Sequence, residues 1–225
     1  ADLGDAVDAH VAAPACPKGR EVHVALTKQL LSYLRGPTEP RDAADQTLLR
    51  TLVPEHRRTA YDPRPIVETL ADAGSVTELR RAFGRTIVTA LARIEGRPVG
   101  VLANDPRHLG GAIDSDGADK AARFVGFCDA HDIAIVSLCD TPGFMVGPPA
   151  EETAQVRHFA RMFVTAASVT VPYITVVLRK GYGLGAQAMA GGSFHAPLAT
   201  ISWPTGEFGG MNLEGAVKLG FRKEL

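Results

Sequence analysis

Apolar residues follow two rhythms along this chain. From Val22 to Leu34, the residues Val24, Leu26, Leu30, Leu31 and Leu34 recur at helical spacing and predict a helix. Residues 1–20 before it read as irregular, with Pro14, Pro17 and Gly19. Gly36-Pro37 and Pro40 end the helix, and residues 36–63, with four prolines and many charges, read as a linker or surface excursion outside the core. Asp62 and Pro63 then open a helix to about Asp72, which Gly74 ends. Thr86–Ile94 and Pro98–Ala103 read as strands joined by a turn at Glu95-Gly96. Helices are predicted over Asp116–His131 and Glu151–Ala167, and a third opens at Gly185–Ala190. Between them lie the second rhythm, unbroken apolar runs at Ile133–Cys139 and Tyr173–Leu178, with a further strand at Leu198–Ser202. Such runs suit strands covered on both faces of a parallel sheet. Strands alternating with helices predict an α/β fold with a mostly parallel sheet and right-handed crossovers. The natural division is a helix and linker over residues 1–50 and one domain over residues 51–225. The end at Lys223-Glu-Leu225 falls within or just after a helix and reads as a fragment's end.

Composition narrows the function. Lys plus Arg number 24 and Asp plus Glu 25, a net charge of −1, so no basic excess points to nucleic acid or a membrane surface. No apolar stretch approaches the ~20 residues of a membrane span, and no secretory leader is visible. Three cysteines, Cys16, Cys128 and Cys139, without close pairing suggest reduced thiols and a cytoplasmic setting. The seven histidines are scattered and no C-x-x-C occurs, so no metal site is expected.

Candidate chemistry sits where strands end. After the second apolar run comes Arg179-Lys-Gly-Tyr-Gly-Leu-Gly-Ala-Gln-Ala-Met189, with Gly181, Gly183 and Gly185 ahead of a small-residue helix. Outward backbone amides at such a helix start suit a developing oxyanion; a tight turn with close helix–sheet packing fits equally well. Asp140-Thr-Pro-Gly-Phe144 follows the first run at the edge where ligands gather in open α/β sheets. Asp140 reads first as part of a turn and second as a general base. His108, in the loop Asn104–Asp114, reads as solvated before it reads as an acid or base, and Glu207, after Trp203-Pro-Thr205, has no visible partner. Nucleophile-elbow, P-loop and dinucleotide fingerprints are missing from the sequence, which points to backbone amides over a side-chain triad.

Taken in order, Leu52-Val-Pro54 with Tyr61-Asp62, Glu95–Asn104, Asp114-Ser-Asp116 with Lys120–Phe124, Cys128-Asp129, Asp140–Phe144, Val171-Pro172 leading to Arg179-Lys180, Tyr182-Gly183, Trp203-Pro-Thr205 and Glu214–Val217 form a set. The set resembles the C-terminal domain of the carboxyltransferase subunits of acetyl-CoA and propionyl-CoA carboxylases, from about Leu52 to the end. The resemblance implies a crotonase/ClpP-like spiral of ββα units. It implies transfer of carboxylate from carboxybiotin, carried on a partner protein, to the α-carbon of a short acyl-CoA, as in fatty acid biosynthesis. Two oxyanion holes are then needed, and the one for the biotin ureido oxygen falls on the amides of Leu184 and Gly185, or, shifted by one, on Gly185 and Ala186, beside Gly183. Leu184 stands where the commoner pattern has glycine, and Gln187 where it often has Asp near the acyl group. Tyr182, Gln187, Asp140, Pro142, Gly143 and Phe144 are the remaining contacts implied. The implied partners are biotin carboxylase, biotin carboxyl carrier protein, a homologous N-terminal carboxyltransferase domain that holds most CoA contacts, and further copies in a homo-oligomer. Three rivals stand beside this reading: an enoyl-CoA hydratase or other crotonase-fold enzyme, against which Trp203-Pro-Thr205 and Lys120–Phe124 count, a biotin-dependent decarboxylase, and a non-catalytic assembly half.

Overall fold

The turn at Glu95-Gly96 sets the sheet, because both residues take positive φ (50° and 76°), the pairing that matches strand twist in a two-residue hairpin. The Asp72 carboxylate accepts hydrogen bonds from both of their amides at 2.8 Å, which fixes the turn from outside. The flanking strands, β2 (Ile87–Ile94) and β3 (Arg97–Asn104), pair antiparallel along their whole length. A short β1 (Thr77–Leu79), not predicted from sequence, adds to β2. From β3 onward the added strands are parallel: β4 (Ala134–Thr141), β5 (Tyr173–Tyr182) and β6 (Ala199–Ser202), in the order β1-β2-β3-β4-β5-β6. A last short strand, β7 (Glu207–Gly209), also pairs with β5. The α/β class with a mostly parallel sheet is thus as expected. The computed structural model describes residues 17–56 and 58–222.

The continuous apolar runs are explained by two cores, one on each face of the sheet. Along β2, Ile87 and Leu91 enter one core while Val88, Ala90 and Ala92 enter the other; along β5, Tyr173 and Val177 alternate with Val176 and Leu178. The first core is closed by α4 (Ser115–Ala130), α6 (Gln155–Ala166) and α7 (Gly183–Met189). Asp114 starts α4 by accepting from the Gly117 amide at 2.9 Å, and Ala118, Ala121, Val125 and Cys128 form its buried stripe, as the spacing predicts. The second core takes Leu49 of α2 (Leu49–Leu52), Val53, Tyr61, and Ile66 and Val67 of α3 (Arg64–Leu70). This corrects the expectation for residues 36–63, since Leu49, Val53 and Tyr61 are core residues.

Two helical expectations also change. The first helix, α1 (Pro17–Tyr33), begins inside the stretch read as irregular, and residues 1–16 of that reading lie outside the described residues. Its apolar stripe is largely unburied: Tyr33 is buried but Val24 and Leu31 are exposed. Glu151–Ala167 is two helices, α5 (Pro148–Glu152) and α6, separated by Ala154 in the left-handed region (φ 53°). The break lets Gln155 turn inward, where its side chain donates to the Ile113 carbonyl at 3.0 Å and accepts from Ser115 at 2.6 Å.

Lys120 lies in the same layer, 1% exposed, its ammonium donating to the Ile87 carbonyl at 2.7 Å. Burial pushes its pKa down from 10.5 to about 8. The unfolded chain therefore binds the extra proton between these values, and folding stability rises with pH across that window. The expected result is that wild-type unfolding free energy, measured against Lys120→Met at each pH, climbs from pH 8 to pH 10. A difference that stays flat would mean that the ammonium is solvated.

Candidate functional site

The site is built by two parallel strands that end together. β4 and β5 run in register from Ile135↔Tyr173 to Cys139↔Val177, then slip, so that Thr141 faces Gly181. The slip leaves β5 with extra residues at its carboxyl end, and Asp140 fills the gap in the ladder. Its Oδ1 accepts from the Lys180 amide at 3.1 Å, its Oδ2 accepts from Arg179 Nε at 3.1 Å, and Arg179 Nη2 lies 3.1 Å from the same oxygen as an ion pair. Both side chains are buried, at 2% and 1% exposure. Arg179 Nη1 donates onward to the carbonyls of His56 (3.2 Å) and Thr59 (2.8 Å), and its guanidinium lies 4.9 Å from the centre of the Tyr61 ring. Burial, and then the charge of Asp140, raises the Tyr61 phenol above its ordinary range. Asp140 is thus a buried ion tying two strand ends together, and its geometry does not support the general-base reading.

Beyond the slip the two strands release two turns that touch. After β4, Pro142-Gly143-Phe144 is pinned by the Ile113 amide donating to the Gly143 carbonyl (3.0 Å) and by Met145 donating back to Ile113 (2.9 Å). Gly143 takes φ 128°, which favours glycine, and Phe144 stacks on Phe159 with ring centres 4.3 Å apart. After β5, Gly183 takes φ 58° and α7 begins. Gly185 then passes so close to the other turn that a β-carbon on it would lie 2.7 Å from Gly143 C and Cα. Gly185 and Ala186 are buried, whereas the Leu184 side chain is 53% exposed and Gln187 is half-buried. Leucine in place of glycine at 184 therefore costs the packing of this turn nothing. Tyr182 is buried, and its hydroxyl bonds to the Glu207 carboxylate, the partner that the sequence did not reveal.

A cleft of about 350 Å³ opens at this edge, lined by Arg58, Thr59 and Ala60 on one side and by Pro142, Lys180 and Tyr182 on the other. Among the candidate residues, Pro142 and Tyr182 line it; Asp140, Gly143, Phe144, His108 and the 183–187 segment are not part of its lining. The Lys180 ammonium donates to the Gly110 carbonyl at 2.5 Å and lies 3.6 Å from Asp140 Oδ1. Burial lowers its pKa against the opposing pull of Asp140. Sequence reasoning missed the 58–60 wall because its prolines and charges masked the buried Tyr61. It also missed the Asp140–Arg179 pair, which lies across 39 residues of sequence. Cys128 and Cys139 are free, buried thiols, and burial pushes the Cys128 thiol up to about 12; Cys16 lies outside the described residues. Among the described residues, no group of His, Cys, Asp and Glu could hold a metal ion, and no helix is long and apolar enough to cross a membrane.

Comparison with known proteins finds matches over most of the chain. A family described as the carboxyl transferase domain matches residues 19–225. The methylmalonyl-CoA carboxyltransferase 12S subunit of Propionibacterium freudenreichii subsp. shermanii is 39% identical over 208 residues, covering 89% of this chain and 40% of that protein. The propionyl-CoA carboxylase beta chain of Roseobacter denitrificans is 40% identical over 177 residues, covering 79% of this chain and 34% of that protein. The chain thus spans about two fifths or less of the curated relatives it matches. Among solved structures, a single-chain, multi-domain long-chain acyl-CoA carboxylase superposes with a TM-score of 0.86 at 56% identity, over 89% of this chain and 21% of that one. The transcarboxylase 12S hexamer with methylmalonyl-CoA and methylmalonic acid bound gives 0.81 at 38% identity, over 89% of this chain and 40% of that one.

Proposed function

The chain belongs to the carboxyl transferase domain family, and from that premise we propose that it supplies the biotin-facing half of a biotin-dependent acyl-CoA carboxyltransferase with a crotonase-like fold. The observation that carries this reading is the contact between Gly185 and Gly143, which holds the start of α7 against the turn after β4. Leu184 and Gly185 are the second and third residues of α7, where peptide N–H groups have no carbonyl one turn earlier to bond. Ala186 is the fourth residue of α7, the position at which a helix amide first has a carbonyl one turn back to bond. This geometry supports the Leu184 and Gly185 amides over the pair shifted by one. What supports a ureido oxygen here is the pair of spare donors at the helix start, the Leu184 and Gly185 amides. Carboxybiotin on a partner protein would supply the activated carboxylate. The chain's own part is to present two fixed N–H dipoles to the ureido oxygen as charge develops there, with Tyr182 and Pro142 shaping the cleft beside them.

The homologous N-terminal half, with the second oxyanion hole and most CoA contacts, comes to this reading from the family resemblance, as do biotin carboxylase, the biotin carrier protein and homo-oligomeric assembly; the cytoplasmic setting comes from the cysteines without close pairing. For the acyl group, acetyl-CoA or propionyl-CoA is the first reading. The 56% identity to a long-chain acyl-CoA carboxylase, against about 40% to propionyl-CoA carboxylase chains, favours a longer acyl chain as a second. Gln187 is the residue to watch, because a neutral amide replaces the family's common carboxylate. The deciding experiment follows biocytin-dependent decarboxylation of malonyl-CoA, methylmalonyl-CoA and a long-chain malonyl-CoA homologue by the assembled protein containing this chain. Turnover that requires biocytin is expected, and its acyl preference ranks the two readings. A well-folded assembly with no biocytin-dependent turnover, or one that hydrates an enoyl-CoA, overturns the proposal.

A further inference from the structure

Resting on the carboxyltransferase reading, we infer that Arg179 is the positioning residue of the biotin-side cleft, setting both of its walls through one guanidinium. Three contacts support this. Nε and Nη2 hold Asp140 and thereby the strand end that carries Pro142 and Gly143. Nη1 holds the carbonyls of His56 and Thr59, the backbone that carries the opposite wall. The Tyr61 ring lies against its face and limits its tilt. Arg179 is 1% exposed although it lines the cleft, so its donors are spent on protein acceptors. The planar fork matters here, because it sets Nε and Nη2 against the carboxylate and aims Nη1 at the two carbonyls at fixed angles. A lysine in its place offers a point charge of similar reach and keeps the pairing with Asp140, but it cannot hold both walls in one geometry. Cleft width then follows from this residue, while the Leu184 and Gly185 amides remain where α7 puts them.

The test compares Arg179→Lys with Tyr61→Leu in the assembled carboxyltransferase, reading kcat and KM for biocytin and for the acyl-CoA separately, with thermal melts alongside. Arg179→Lys is expected to raise KM for biocytin by roughly tenfold and to leave KM for the acyl-CoA within twofold. Tyr61→Leu, which keeps the ion pair and removes only the ring, is expected to move KM for biocytin in the same direction by a smaller factor. If Arg179→Lys fails to fold, the Tyr61→Leu result decides. A folded variant whose biocytin KM is unchanged, or whose KM rises equally for both substrates, overturns the inference and leaves Arg179 a stabilising core residue. Wild-type protein without any biocytin-dependent turnover would instead remove the reading on which the inference rests.

Discussion

Gly185→Val is expected to lower biotin-dependent carboxyl transfer at least about 100-fold, the scale of losing one donor of an oxyanion hole. The cause is steric. The first added carbon already falls 2.7 Å from Gly143 C and Cα and 3.1 Å from the Phe144 amide nitrogen, all of them backbone atoms that cannot swing aside as a flexible side chain can. The turn after β4 is itself pinned by the Ile113 bonds, so α7 must yield, and the amides of Leu184 and Gly185 move with it. Overpacking of this kind also costs about 1–3 kcal/mol of stability, so turnover has to be read per folded molecule. Gly185→Ala should fall between wild type and valine. Leu184→Ala is the contrast, because that side chain is more than half exposed and its amide survives the change; its turnover should stay within a few-fold of wild type. A folded Gly185→Val protein with full biocytin-dependent turnover would place the oxyanion elsewhere.

Asp140→Ala is expected to destabilise the fold by about 3–5 kcal/mol in urea unfolding, the usual result of stripping the partner from a buried charge. Removing the carboxylate leaves the buried Arg179 without its counter-charge, although its two carbonyl acceptors stay, and takes the acceptor from the Lys180 amide. The pair Arg161–Asp119 tests the reasoning by its weakness. Its bond is as short, at 3.0 Å, but Arg161 is 55% exposed. Arg161→Ala should therefore change stability by less than about 1 kcal/mol. Equal losses in the two variants would show that burial is not what gives the Asp140 pair its weight.

The strands of the parallel sheet were legible in the sequence because each must be covered on both sides, and Ile133–Cys139 and Tyr173–Leu178 are apolar apart from the buried Ser137 and Thr175. The glycines around Tyr182 were legible for a related reason: close backbone approach leaves no other residue type room, and Gly185 is such a case. The short strands β1 and β7 were not, since three residues carry no period. Nor was the second core beneath residues 46–63, because Leu49 and Val53 flank a single helical turn, too short to show a period, and Tyr61 is placed by tertiary contacts alone. The α1 stripe failed in the other direction: its periodicity is real, but Val24 and Leu31 find no cover among the described residues. Ion pairs across long stretches of sequence, such as Asp140 with Arg179, leave no local trace at all.

The bonds from Arg179 to the carbonyls of His56 and Thr59 span 123 and 120 residues of chain. Contacts of that separation carry a large loop-closure cost and contribute only after most of the intervening structure has formed. The cleft wall is therefore among the last parts of this domain to assemble, after the β2–β3 hairpin and the parallel strands beside it. A newly made chain is expected to complete its sheet first and to acquire its cleft as the closing event of folding.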